Sequence, residues 1–427
     1  MSTLVTNLVC VNCGVSLDAS KGVQADVADQ QNRMSCQIWM TCPQCGPADG
    51  ILDFHYDLDA VRSAWGKRPL ASRKPNHWRY SELLPLTPES IPHHWPVGWT
   101  PVLDMTRLAR QLGLQQLLIK DEGRNPSASF KDRASSVGVA HALQVGAKTI
   151  ACASTGNAAT SLACHAALAG LSARIFVPHT APEPKLAQLL VYGATLFAVQ
   201  GTYDQAYQLC SASCAEFSWY NRNCAINPVM VEGKKTGGLE IAEQSSDFGG
   251  VPDWIAVSIG DGCTIAGIWK GLTEMHALGI IDRLPRLLGV QAAGVAPFPH
   301  ALEYDALPDP GNGSTLADSI DVQVPRNWRK AVHALRESEG VVVCVSDEAI
   351  IDAMRLAGRH GAFAEPASAA GLAGIVAALD TKTILPRDRV LAMLTGSGLK
   401  DTRSAIRAGG KPIHIEPNLG AVAACLK

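Results

Sequence analysis

No long apolar run occurs in this sequence. The longest, AAGLAGIVAAL (369–379), is too short to cross a bilayer and is broken by glycine, so no membrane span is expected. A surplus of one charge is also missing. Lys and Arg number 37 against 39 Asp and Glu, the formal net charge is −2, and there is no basic block. Such a chain exerts no long-range pull on nucleic acid or on an acidic membrane surface, and neither is expected as a partner. The opening stretch MSTLVTNLVCVNCG lacks a basic segment followed by a long apolar one. It does not read as a signal peptide, and a cytoplasmic location is expected. Internal repeats and low-complexity tracts are absent too.

What is present points to a large soluble fold. Hydrophobic residues make up 47% and charged residues 18% of 427 positions, enough for buried cores and against disorder. The length predicts two or three domains. The first ~50 residues are polar, carry cysteines and are short of helix signals. Residues 67–101 are rich in Pro, Trp and His and read as a connector crossing a surface, with a short helix at best. Beyond them short apolar strands alternate with Ala-rich helices. Strands are expected at 115–121, 148–154, 173–178, 194–200, 254–259, 286–292, 341–346 and 389–395. In TIAGIWKGLTEM, Ile265, Ile268, Trp269 and Leu272 share one helix face. Strand–helix alternation over this span implies parallel sheets covered on both faces, hence an α/β architecture.

Thirteen cysteines without an export signal suggest a reducing compartment, where paired cysteines more often hold metal than form disulfides. Cys10 and Cys13, with Cys42 and Cys45, form two CxxC knuckles. Two knuckles complete a tetrahedral four-sulfur site that suits structural zinc. Cys36 lies between them as a spare thiol. The bland alternative is four reduced cysteines in a loosely folded extension. Few basic or aromatic residues accompany the knuckles, which favours a structural over a nucleic-acid-binding ribbon.

After the expected strand 254–259 comes Gly260-Asp261-Gly262-Cys263-Thr264, then an amphipathic helix. Strand, glycine loop and helix N-terminus make a phosphate cradle. The loop lacks the third glycine of a dinucleotide fingerprint and the Gly-Lys-Ser/Thr of a P-loop, which leaves a cofactor with one phosphate. Taken alone, it is equally a tight turn.

Four further stretches occur in order: NPSASFKDR (125–133), ASTGNAATS (153–161), EPASAAG (365–371) and LTGSGLKD (394–401). Together with the glycine loop this set resembles threonine synthase, a pyridoxal-phosphate enzyme of the tryptophan-synthase-β-like class, fold type II. The similarity runs from about residue 78 to 419, and the CxxC ribbon also occurs in many relatives. The resemblance implies two open twisted αβα sheet domains preceded by a zinc-ribbon-like segment. Its boundaries would be 1–55 for the ribbon, 56–135 for the connector and first part of the large domain, 136–234 for the small domain and 235–427 for the rest. It implies that Lys131 carries pyridoxal phosphate as a Schiff base and acts as base, and that Phe130 helps bind the cofactor. Residues Gly260, Asp261, Gly262, Cys263 and Thr264 would hold the phosphate, Asn157 the ring oxygen, and Thr395 the pyridine nitrogen. Ser154, Thr155, Gly156 and Ala158 would hold the substrate carboxylate. A homodimer acting on a small amino acid is implied as well. Singly, Lys131 paired with Asp132, Asn157 as a helix cap and Thr395 as a turn residue remain plain alternatives.

The chemistry fits these residue types. A Schiff base needs an unprotonated amine, which burial or a nearby cation supplies. A hydroxyl facing the ring nitrogen suits elimination and replacement better than transamination.

Three departures stand out. Threonine synthases usually show Asn-Ser-(apolar)-Asn-Pro-x-Arg before Glu-Gly-x-Lys-Thr, with the serine and arginine on the substrate phosphate. Here CAINPVMVEGKKT puts Ala225 and Met230 in those places. Neither donates a charge-assisted hydrogen bond. Ala128 and Cys263 stand where glycine is common. Nothing in the sequence singles out Lys185 or Lys234 as a replacement cation. The expectation is a lyase or β/γ-replacement enzyme whose substrate lacks that phosphate, with Met230 and Val229 lining a less polar pocket. Two alternatives stay open: Met230 packs in the core of a genuine threonine synthase, or the chain is a non-catalytic scaffold with a partner-binding ribbon.

Overall fold

The computed structural model describes residues 3–18, 40–181, 183–224 and 226–426. Cys36 and Ala225 lie outside them, and so does the side chain of Lys185. Among the described residues no helix is long and apolar enough to cross a membrane.

The N-terminal segment forms an antiparallel sheet in the order β2-β1-β3, from β1 (Val5–Cys10), β2 (Ser16–Asp18) and β3 (Leu52–Tyr56). The sequence had offered no strand there. A six-stranded sheet follows the order β12-β11-β10-β13-β5-β4. Its members are β4 (Val102–Asp104), β5 (Gln116–Asp121), β10 (Trp254–Ser258), β11 (Arg286–Ala292), β12 (Val341–Val345) and β13 (Arg389–Leu394). Only β4 runs antiparallel. A four-stranded parallel sheet, β8-β7-β6-β9, contains β6 (Thr149–Ala153), β7 (Ser172–Pro178), β8 (Thr195–Val199) and β9 (Tyr220–Asn221). All eight strands expected from the sequence are present. They are near-continuous apolar runs, as a parallel sheet covered on both faces requires.

Five helices bear on the site: α1 (Lys131–Gln144), α2 (Asn157–Ala169), α3 (Val229–Gln244), α4 (Cys263–Ala277) and α5 (Pro366–Asp380). Two of them touch backbone to backbone. A Cβ at Gly238 of α3 would lie 2.1 Å from the Ile268 carbonyl oxygen, and one at Gly271 of α4 would lie 2.4 Å from that of Lys235. Glycine is required at both crossings. Four of the five motif stretches follow the carboxyl ends of strands: 154–157 after β6, 260–264 after β10, 395–398 after β13, and 125–131 downstream of β5; 365–371 instead follows a helix. Ligands of open α/β sheets bind at such ends.

Residues 67–101 correct the surface-connector reading. They form three 3₁₀ turns, Leu70–Ser72, His77–Leu83 and Pro88–Ser90. Trp78, Tyr80, Leu83, Leu84, Trp95 and Val97 are each no more than 3% exposed. The prolines prevent a long helix but not packing, and each buried aromatic removes on the order of 150–250 Å² from water. The Trp78 indole donates to the Trp95 carbonyl oxygen at 3.1 Å, so its polar edge is satisfied.

A buried ion network ties these parts together. Arg133 Nε reaches Glu122 Oε2 at 2.8 Å and its Nη1 reaches Glu240 Oε2 at 2.9 Å. Lys120 Nζ meets Glu240 Oε1 at 2.5 Å, and the backbone amides of Trp99 and Thr100 donate to the same carboxylate. All four charged side chains are 0% exposed. Burial alone would raise the Glu240 pKa, but Arg133 and Lys120 hold it well below the carboxylate range. Removing one partner leaves buried charges uncompensated. Glu240→Ala is therefore expected to cost about 3–5 kcal/mol of unfolding free energy in urea melts. An unchanged midpoint and slope would contradict the network's role.

Candidate active site

Helix α1 begins at Lys131, and its first three residues point three ways. Arg133 enters the ion network. Asp132 is fully buried, with Oδ1 on His165 Nε2 at 2.9 Å and Oδ2 accepting from Ser127 N and Oγ at 2.9 Å each. Asp132 thus has partners other than Lys131, and the plain ion-pair alternative is not formed. Lys131 is half-buried. Burial first, and then the charge of Lys234, bring its amine down to about 8.

The loop before Lys131 is clamped to the loop after β13. Phe130 N donates to the Thr395 carbonyl at 2.8 Å, and Ser397 N to the Ala128 carbonyl at 3.1 Å. Ala128 has φ +63°, a left-handed conformation that costs a non-glycine residue about 1–2 kcal/mol. This accounts for glycine being common there, and the chain carries the strain at the turn that delivers Lys131. Ser129 Oγ is buried without a hydrogen-bond partner. The expectation for Phe130 is corrected. Its ring is 0% exposed and fills the core where α1 meets α3, and a Cβ at Gly237 would lie 2.8 Å from it. Only its backbone is left to face a ligand.

Asn157 starts α2 but does not cap it. Its Nδ2 donates to Glu365 Oε1 at 2.8 Å, and Gly156 occupies the cap position. Glu365 was not given a role from the sequence. It precedes α5, is 6% exposed, and burial raises its carboxyl to about 7, against the opposing effects of Lys131 and Asn157. The signal available was a carboxylate leading an apolar helix in EPASAAG. Gly396 allows the approach: a Cβ there would lie 2.4 Å from Glu365 Oε1 and 3.2 Å from Asn157 Nδ2. Thr395 Oγ1 lies 3.1 Å from Ser368 Oγ, whose hydroxyl also accepts from Gly396 N at 2.6 Å. A cleft with a cavity volume of about 90 Å³ opens over this group, lined by Thr155, Gly156, Asn157, Glu365 and Lys400 among others. Ser154 and Ala158, half-buried, flank it at the start of α2.

The glycine loop leads into α4. Gly262 has φ +89°, and a Cβ on it would lie 2.9 Å from the Asn327 carbonyl oxygen. Asp261 Oδ1 accepts from Arg326 N at 2.8 Å, and burial raises its pKa. Thr264 and Cys263 are buried. Cys263 Sγ points toward the Cys224 carbonyl oxygen at 3.9 Å, and the neighbouring Cys224 and burial push its thiol pKa well up. Glycine φ, a helix start and closely packed backbone fit a phosphate cradle.

The pocket expectation for Met230 and Val229 is overturned. Met230 is 0% and Val229 1% exposed, both within the apolar core. A Cβ at Gly138 of α1 would lie 2.2 Å from Met230 Cε, so the thioether fills the space a glycine leaves between α1 and α3. One turn on, Lys234 is the cation that acts on Lys131.

At the N-terminus, Cys10, Cys13, Cys42 and Cys45 bring their sulfurs within 4.8 Å of one another. Cys10–Cys45 is 3.9 Å and Cys13–Cys42 is 3.8 Å. Four sulfurs about 2.3 Å from a tetrahedral zinc would be spaced about 3.8 Å apart, so the cluster has the required size.

Comparison with known proteins agrees with this geometry. Residues 96–396 match the family described as pyridoxal-phosphate dependent enzyme. The threonine synthase of Methanocaldococcus jannaschii is 36% identical over 423 residues, covering 98% of each chain. That of Mycobacterium tuberculosis is 37% identical over 343 residues, 79% of this chain and 92% of the relative. Among solved structures, threonine deaminase isoform 2 of Solanum lycopersicum superposes with TM-score 0.61 at 21% identity, covering 70% of this chain and 79% of that one. Escherichia coli diaminopropionate ammonia lyase gives 0.62 at 18%, covering 75% and 88%. At those identities the two structures speak for the fold alone. The chain belongs to the pyridoxal-phosphate-dependent enzyme family and is a lyase of the threonine synthase group.

Proposed function

We propose that this enzyme eliminates or replaces a group at Cβ or Cγ of a small L-amino acid, with Lys131 as covalent lysine and proton carrier. The observation that carries this reading is the half-buried Lys131, its amine lowered to about 8, facing the Asn157–Glu365 pair. An amine poised near neutrality accepts and returns a proton under working conditions. Pyridoxal phosphate, when bound, supplies the electron sink for the bond broken at Cα. Backbone amides of 260–264 would hold its phosphate, Asn157 its ring oxygen and Thr395 its ring nitrogen. Glu365 fixes the Asn157 amide through the Nδ2 hydrogen bond. Ser154, Thr155 and the amides opening α2 would take the substrate carboxylate, aided by the positive end of the helix. A second reading, threonine synthase activity itself, is favoured by one observation. Met230 lies in the core, so its lack of charge no longer argues against a substrate phosphate.

The four N-terminal cysteines would hold structural zinc, supplying folding energy to a segment with little core of its own. We further propose a homodimer, to be read by analytical ultracentrifugation.

Lys131→Ala is expected to abolish the visible absorbance of bound cofactor and to lower turnover at least ~10³-fold. An intact band in that variant would sink the assignment. A panel of L-serine, L-threonine, O-acetyl-L-serine, O-phospho-L-serine and O-phospho-L-homoserine, read by keto acid and phosphate release, would choose between the two readings. In cofactor-free protein, labelling of the Lys131 amine should rise with pH through a midpoint near 8. Glu365→Gln removes a negative neighbour and should lower that midpoint. Lys234→Gln removes a positive one and should raise it. Opposite shifts would refute the local electrostatics. Metal analysis should find one zinc per chain, lost in Cys42→Ser. Zinc-free protein with all four thiols intact would exclude the site.

A further inference from the structure

Arg222 and Lys234 are the two buried cations beside Lys131 that the proposed reaction leaves without a task. They are 2% and 3% exposed. Among the described residues neither forms a salt bridge with a carboxylate. Arg222 donates only to a neutral group, Ser135 Oγ, from Nε at 3.2 Å and Nη2 at 3.0 Å. Ser135 lies one turn beyond Lys131 on α1. Lys234 leans on α4, where a Cβ at Gly267 would lie 2.9 Å from its own, and the nearby Cys224 and Cys263 sulfurs oppose burial and raise the pKa of its amine. The two cations act on each other and both act on Lys131.

Every other cation buried as deeply has its anion. Arg133 has Glu122 and Glu240, Lys120 has Glu240, and Lys235 has Glu232. Burying a cation without one is costly, so an unmatched pair marks a place where an anion arrives. The local acids do not fill it. Asp261 is engaged by Arg326 N and by Cys263 Sγ, and Glu365 by Asn157. The Cys224 thiol is pushed well down by the neighbouring Cys263 and by both cations, while that of Cys263 is pushed up. A single thiolate balances one positive charge and leaves the other.

We propose that Arg222 and Lys234 form a binding site for a phosphate monoester next to Lys131, replacing the charge that Met230 does not supply. A guanidinium and an ammonium that both act on Lys131, near the Cys263 end of the glycine loop, match a tetrahedral dianion. The ester is either the leaving group on the substrate side chain or the 5′-phosphate of the coenzyme. The proposal rests on the reading of Lys131 as the cofactor lysine.

Both sources are separable in the holoenzyme. Affinities for O-phospho-L-serine and O-phospho-L-homoserine, and for L-serine and L-homoserine, would be read from changes in cofactor absorbance. Arg222→Gln and Lys234→Gln should each lower binding of the phosphorylated pair roughly 10- to 100-fold while sparing the others, and Lys234→Arg should retain most of it. If the variants instead lose affinity for pyridoxal phosphate but not for pyridoxal, the site belongs to the coenzyme. Equal effects on phosphorylated and unphosphorylated ligands, or none, overturn the proposal. A measurement on unaltered protein guards against misfolded variants. O-phospho-L-serine should protect the half-buried Cys224 from iodoacetamide at least tenfold better than L-serine, or pyridoxal phosphate should do so better than pyridoxal. Protection by neither also overturns it. Absence of any cofactor band in the unaltered protein would instead defeat the Lys131 reading. Calorimetry with inorganic phosphate, comparing it with Lys234→Gln, would then still test the anion site.

Discussion

The ion network of Arg133, Glu122, Glu240 and Lys120 sets the phase of helix α1, and the site follows from that phase. A helix turns about 100° per residue. With Arg133 drawn into the core by two carboxylates, Asp132 must face His165 and Ser127, and Lys131, about 200° from Arg133, is turned away from the network. Three consecutive residues have three separate sets of partners, so the first turn cannot rotate without breaking one of them. An apolar core could supply as much stability, since desolvation offsets much of the gain from buried ions. Directed pairs give register that methyl groups do not. Glu240 also receives two amides from 99–100, so the same carboxylate pins β5, α3 and the incoming chain around the lysine.

The electrostatics of the cleft divide along its walls. On one side Asn157 and Glu365 form a pair whose carboxyl lies near neutrality because it is buried. On the other, burial opposes the charge of Lys234, while the Cys224 and Cys263 sulfurs raise its pKa. Lys131 sits between. Burial and Lys234 lower its amine while Glu365 and Cys224 oppose, so its proton affinity is the difference of two opposed fields. Lys131 is thus tuned by residues just after β9, on α3 and just before α5, about 90 to 235 positions away in the chain.

Much of this was legible in the sequence. Apolar runs of five to seven residues marked all eight strands, because a strand buried on both faces has no polar alternation to confuse it. Motif order marked Lys131, Asn157, Thr395 and the glycine loop, and each of these stretches lies downstream of a parallel strand. Other parts depended on three-dimensional facts. The prolines of 67–101 read as surface, yet Trp78 and Tyr80 are buried in 3₁₀ turns that leave no period. Phe130 was read by adjacency to Lys131, but neighbours on a helix face different directions. Glu365 gave no local sign of its partner, 208 residues away.

Met230 shows why a motif position is weaker evidence than a volume. The loss of an arginine was read as a change in the pocket. A methionine at that point fills the gap over Gly138, where any Cβ would collide with it. The position therefore answers to packing between α1 and α3. Charge enters from the next turn of the same helix, because Lys234 passes Gly267 on α4 to reach Cys224. Both side chains depend on a facing glycine: one helix contact admits a thioether, the other an ammonium. A bulkier residue at Gly267 would press on the Lys234 stem without altering any residue assigned to the chemistry. The pocket's charge is thus coupled to helix packing through a single missing Cβ.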